Sequence, residues 1–180
     1  MRILQEDTAG VVIDIQERLL PHIHDHQRVL ENCLRLIEGL QILSVPLIVT
    51  QQYTRGLGAT HRSVAGKFDS FSHIEKTAFS CCDEPAFIGE VARTGRKNII
   101  ICGIESHVCV LQTCLDLIDG GYNPVVVEDC VSSRNPGDKV VAIERMRQEG
   151  ARITTYESIL FELTRVSGTE TFKKISQLVK

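Results

Sequence analysis

Cys109 carries the most reactive side chain in the most particular setting, Gly103-Ile-Glu-Ser-His-Val-Cys-Val110. Ser106 is placed to cap a helix, which puts Cys109 in the first turn. A helix N-terminus lowers a thiol pKa, and a lysine brought close lowers it further. Thiolate is the attacking form, so this position suits a nucleophile. The plainer reading is one more small buried hydrophobe, as Cys102 and Cys114 read. Asp14 closes the apolar run Ala9-Gly-Val-Val-Ile13. Gln51-Gln52, Glu105 and Glu128-Asp129 follow three further apolar runs in the same way. In an open parallel sheet, ligands bind outside the carboxyl ends of the strands, where these polar groups gather. Polar residues also simply mark where strands stop, so position alone does not assign them a role.

Other candidates read more weakly. A Cys–His couple activates a thiol, but His107 and Cys109 are two apart at a helix start and do not face each other. His107 therefore reads as a surface or rim residue. His22, His24 and His26 alternate in a polar stretch with no cysteine or carboxylate set to complete a metal cage. No GxGxxG or phosphate-binding loop is present, so no nucleotide cofactor is indicated.

The elements that must position these residues follow from periodicity. Short apolar runs at Ala9–Asp14, Pro46–Thr50, Asn98–Cys102, Asn123–Asp129 and Ala151–Thr155 read as strands. Between them, Gln27–Leu43, Pro85–Thr94, a segment through Val108, Leu111, Leu115 and Ile118, and Lys139–Gln148 read as helices. Helical pieces run on to the C-terminus. Strand alternating with helix predicts a parallel sheet covered on both faces, an α/β/α three-layer sandwich. Gln51 to Cys82 reads as a long loop, which in a compact domain is functional or mobile.

Bulk properties bound the rest. The 180 residues fit a single domain over 1–180. A formal net charge of -3, with scattered Lys and Arg, argues against nucleic acid or a membrane surface as partner. No signal peptide or apolar run of membrane-spanning length is visible. Seven cysteines, an odd number with several inside apolar segments, predict reduced thiols and a cytoplasmic protein.

Three segments in order resemble the isochorismatase-like cysteine hydrolases. Gly103–Val110 is similar to their nucleophile motif. Val11-Val-Ile-Asp-Ile-Gln16 resembles their first-strand motif, and Glu75-Lys-Thr-Ala-Phe79 their lysine motif. Val126-Val-Glu-Asp129 with Ser132 resembles a later strand-end segment. The resemblance spans about residues 9 to 163. It implies a three-layer fold around a mainly parallel sheet of about six strands.

It also implies roles. Cys109 attacks a carbonyl carbon to form a thioester, Asp14 moves the thiol proton, and Lys76 holds Asp14. Backbone N–H groups of Glu105 and Cys109 form an oxyanion hole, beside a non-proline cis bond at Ile104–Glu105. Gln16, Gln52, Phe79 and Ser106 fall at substrate-binding positions. A cysteine nucleophile points to C–N cleavage of a small amide, carbamoyl or ureido compound, rather than to the vinyl-ether cleavage of isochorismatases proper. The nicotinamidase branch places metal ligands where this chain has Gln52 and Thr54, so no metal and no other cofactor is expected. Relatives assemble into homo-oligomers, and the same is expected here. The rival reading is a non-enzymatic binding or scaffold protein that retains the fold.

Overall fold

The computed structural model describes residues 2–180. Its strands are β1 Thr8–Ile13, β2 Leu47–Gln52, β3 Ile74–Lys76, β4 Asn98–Ile104, β5 Asn123–Ser132 and β6 Arg152–Thr154. Its α-helices are α1 His26–Ile42, α2 Thr54–Leu57, α3 Arg62–Ala65, α4 Pro85–Thr94, α5 Leu111–Asp119, α6 Pro136–Gln148, α7 Tyr156–Thr164 and α8 Glu170–Leu178. The strands form one sheet in the order β3-β2-β1-β4-β5-β6, with every neighbouring pair parallel.

All six residues of β1 and all seven of β4 are buried, as strands covered on both faces must be. Alternate residues go to opposite layers. Ala9, Val11, Ile13, Ile99 and Ile101 pack with Phe87, Val91, Cys114, Leu117 and Met146 of α4, α5 and α6. Val12, Ile100, Cys102, Val125 and Val127 pack with Cys33, Leu36, Leu40, Leu160 and Ile175 of α1, α7 and α8. The three-layer α/β/α sandwich with six strands is therefore the fold.

Local chemistry sets the helix ends. Pro85 opens α4, and Gly95 ends it at φ 66°. The Asn135 side chain accepts from Gly137 N–H and starts α6 a turn before the expected Lys139. Thr155 and Thr169 cap α7 and α8 in the same way.

The region expected to be one long loop, 51 to 82, differs from that reading. It holds the end of β2, two short helices and the edge strand β3. Three residues of mixed polarity, Ile74-Glu-Lys76, carry too little alternation to be read as a strand, and their pairing with Thr50–Gln52 defines them. Strand order reverses between β1 and β4, with β2 and β3 on one side and β5 and β6 on the other. The crevice at the carboxyl ends of β1 and β4 is where such sheets bind ligands.

Candidate active site

Asp14 is the first residue past β1 and has left-handed backbone geometry, φ 52°. Its side chain is wholly buried. Oδ1 accepts from Thr50 Oγ1 at 2.8 Å. Oδ2 lies 2.7 Å from Lys76 Nζ, with both side chains at 0% exposure. Lys76 ends β3, two strands from β1, a separation of about 10 Å at ordinary strand spacing. A lysine stem is long enough to cross the end of β2 and meet the carboxylate.

Four acceptors surround the Lys76 ammonium. Besides Asp14 they are Gln52 Oε1 at 2.5 Å, Ala78 O at 3.2 Å and Phe79 O at 3.1 Å. A buried charge needs this degree of pairing. Burial works against the Lys76 charge, but Asp14, Cys109 and Cys81 outweigh it and its pKa is raised. Burial pushes the Asp14 carboxyl up as well, against the pull of Lys76.

Cys109 lies in a π-helical turn, Ser106–Val110, at the end of β4. It is 7% exposed and lies close enough to Asp14 and Lys76 for both to shift its titration. The sequence reading of an acidified thiol is corrected here. Burial, followed by the negative charge of Asp14, pushes the Cys109 pKa up to about 12, and Lys76 offsets only part of this. The resting site therefore holds a protonated thiol beside the buried Asp14–Lys76 pair.

The segment that follows β4 is firmly anchored. The Ile104–Glu105 peptide is cis. Glu105 Oε1 accepts from both Arg134 N and Arg134 Nε at 3.0 Å, tying the end of β4 to the chain after β5. Glu105 O accepts from Val108 and Val110 N–H and so closes the turn.

The helix expected after Ser106 begins differently. Glu105 occupies the cap position, and no side chain caps the turn. Ser106 Oγ is instead fully buried and has no protein partner. His107 Nδ1 lies 2.9 Å from Ser133 Oγ.

Two residues expected at substrate positions make hydrogen bonds within the protein. Gln16 is fully buried, its amide bonded to Gln52 N–H, Gln52 O and Gly58 O. Gln52 bonds Lys76 and Thr77 O. The Phe79 carbonyl accepts from Lys76, and the residue as a whole is 54% exposed.

The sequence reading missed Thr50 and Cys81. Thr50 aligns Asp14, and its polarity within the apolar run Pro46–Thr50 was the available signal. Cys81 Sγ donates to Thr50 Oγ1 at 3.8 Å. Burial and Asp14 push its thiol up to about 11. All seven cysteines are free. Among the described residues, no group of three or more His, Cys, Asp or Glu is arranged to hold a metal ion.

The isochorismatase domain model matches residues 8–158. Isochorismatase family protein 1B of Dictyostelium discoideum is 38% identical, over 99% of this chain and 89% of its own length. The secreted isochorismatase effector Isc1 of Phytophthora sojae is 36% identical, over 99% and 87%. Among solved structures, the MAR1 ribonuclease of Caenorhabditis elegans superposes with a TM-score of 0.93 at 38% identity, over 99% of this chain and 92% of that one. YcaC of Pseudomonas aeruginosa, solved with hexane-2,5-diol and covalent acrylamide, gives 0.92 at 27% identity, over 98% and 91%. The Escherichia coli YcaC gene product, described as an octameric hydrolase of unknown specificity, gives 0.92 at 25%, over 99% and 90%. With a matching domain model over most of its length and relatives above 30% identity along nearly all of it, the chain belongs to the isochorismatase family.

Proposed function

We propose that this family member is a metal-independent cysteine hydrolase that cleaves a C–N bond of a small amide, carbamoyl or ureido compound. One observation carries the reading. Asp14, Lys76 and Cys109, distant in sequence, meet in one buried cluster at the carboxyl ends of the strands.

The chemistry follows from the charges. Asp14 accepts the thiol proton as sulfur attacks the carbonyl carbon, so no free thiolate need accumulate. Lys76 remains an ammonium, and its charge balances the single negative charge that passes from carboxylate to substrate. The N–H groups of Glu105 and Cys109 are assigned to the developing oxyanion. Asp14 then returns its proton to the leaving nitrogen, giving amine and thioester. In the second half it takes a proton from water, which attacks the thioester, and the acid and the thiol are regenerated.

Further features support the details. Gln52 and Thr54 stand where a metal-dependent branch has ligands, and both side chains are bonded within the protein. Acrylamide is an electrophile, so its covalent attachment to a neighbour of the same fold supports a reactive nucleophile in this architecture. A scaffold protein would have no need to bury an ion pair against a thiol, since a buried pair is a weak source of stability. Seven unpaired thiols favour a reducing, cytoplasmic compartment. No helix among the described residues is long and apolar enough to cross a membrane. The octameric neighbour and the exposed Val140 and Val141 favour a homo-oligomer.

The test is a panel of small amides, carbamoyl compounds and ureides, read by ammonia or amine release and by the mass of trapped acyl-enzyme. Turnover with an adduct on Cys109 is expected. Cleavage of an RNA substrate with no turnover across the panel would overturn the reading.

A further inference from the structure

We propose that Gln52 is a positioning residue, its side-chain amide holding the Lys76 ammonium over Asp14, with Gln16 fixing Gln52 in turn. The inference rests on the roles given above to Asp14, Lys76 and Cys109.

The orientation of each amide is fixed by its partners. An ammonium only donates and a peptide carbonyl only accepts. Gln52 Nε2 donates to Thr77 O at 2.8 Å, which turns Oε1 to Lys76 Nζ at 2.5 Å. Gln16 grips Gln52 through both of its backbone groups. Its Oε1 accepts from Gln52 N–H at 2.8 Å and its Nε2 donates to Gln52 O at 2.9 Å. Gln16 Nε2 also donates to Gly58 O at 2.7 Å, which ties the clamp to the turn after α2. The result is one chain of contacts running Gln16, Gln52, Lys76, Asp14, Cys109, almost all of it buried.

An ammonium has three protons, and its two shortest contacts here are to Gln52 and Asp14. The carbonyls of Ala78 and Phe79 are farther away. Asp14 therefore shares the cation with a neutral acceptor. Neutrality matters because the site has one cation and one anion, and the anion must stay free to take the thiol proton. A second carboxylate on Lys76 would raise the proton affinity of Asp14 and Cys109. An apolar residue would leave the buried ammonium short of an acceptor, favour its neutral form and weaken its support of the anion. A glutamine holds the cation without titrating.

The experiment is the rate of Cys109 alkylation by iodoacetamide at a fixed pH between 7 and 9 in the full-length protein, read by peptide mass spectrometry so that Cys109 is separated from the other six thiols. Gln52→Met should slow labelling roughly tenfold, the change expected of a thiol whose proton is held about one pH unit more tightly. Gln52→Asn, which keeps an amide but is one methylene short, should slow it too and serves if the methionine variant does not fold. Gln16→Met should give a smaller slowing. Lowered melting temperatures with an unchanged labelling rate would overturn the inference, because Gln52 would then be only structural. Labelling slowed by Lys76→Met but not by either Gln52 variant would overturn it while leaving the hydrolase reading standing. If Lys76→Met also leaves the rate unchanged, the site reading itself fails, and the inference with it.

Discussion

Lys76 Nζ lies 2.7 Å from Asp14 Oδ2, and solvent reaches neither side chain. This pair joins the far edge of the sheet to its centre, across β2. It also decides the protonation state of the thiol beside it. Lysine makes negative charge affordable at the site, but Asp14 already supplies that charge, so Cys109 keeps its proton. On the proposed mechanism the thiol is held ready by a base rather than stored as an anion.

Asp14→Asn should therefore separate reactivity from catalysis. Burial and the Asp14 charge are the leading causes that push Cys109 up to about 12, and Lys76 pulls the other way. Removing the carboxylate while keeping Lys76 lowers the thiol pKa, so Cys109 should alkylate at lower pH than in the wild type. Hydrolysis should still be lost, because an amide cannot accept the thiol proton. Slower alkylation of the variant at every pH would show that Asp14 acts mainly by deprotonating the resting thiol.

Cys109→Ser should fold with a melting temperature close to the wild type and release no ammonia from any accepted amide. The hydroxyl is nearly isosteric with the thiol, but its proton is far harder to remove. A loss of about 10⁴-fold or more would be in line with triad members that act as a unit. Substantial turnover by this variant would place the nucleophile elsewhere.

Lys76→Met should be a stability variant as well as an activity variant. Breaking a buried pair from one side costs about 3–5 kcal/mol, because the other charge is left alone. The sign with pH follows from Asp14. Burial holds its folded pKa above the ordinary 3.8, and losing Lys76 raises it further. A group whose pKa is raised on folding contributes stability at low pH that disappears as pH climbs through the folded value. Urea unfolding should thus show a small deficit at pH 5 and a larger one at pH 8. A deficit that shrinks toward pH 8 would mean that Asp14 is not the group left exposed to the loss.

The sheet was legible because β1, β4 and β5 are apolar runs broken by amphipathic helices, and that pattern has few physical solutions. Asp14 was legible as a charge closing such a run. β3 was not, since Ile74-Glu-Lys76 has strand character only through its pairing with Thr50–Gln52. The direction of the Cys109 shift was misread for a related reason. A helix start favours thiolate, but burial and a contact with Asp14, 95 positions away in sequence, reverse the balance. Gln16 and Gln52 were legible as site residues, but their bonds within the protein were not, because which partner an amide bonds is fixed by loop closure at Gly58 and Thr77.

Gly103 offers a test of how the two central strands hold the site together. It sits in β4 opposite Ile13, immediately before Ile104–Glu105, with φ +126°. A Cβ there would stand 2.0 Å from Ile13 O, and Ile13 is the residue before Asp14. That oxygen belongs to a strand buried on both faces, so it cannot move aside as a flexible side chain would. Gly103→Ala should therefore cost upwards of about 4 kcal/mol, in the range reserved for steric conflict in a core, or leave the protein insoluble. Gly121→Ala is the matched control. Its φ is +76°, and nothing lies within 4 Å of the added carbon. It should cost only about 1–2 kcal/mol, the penalty for left-handed backbone in an L-residue. Urea unfolding of both variants beside the wild type measures the difference. Equal costs would mean that β1 and β4 yield to each other, and that the close approach at Gly103 is not what fixes Asp14 against the Cys109 turn.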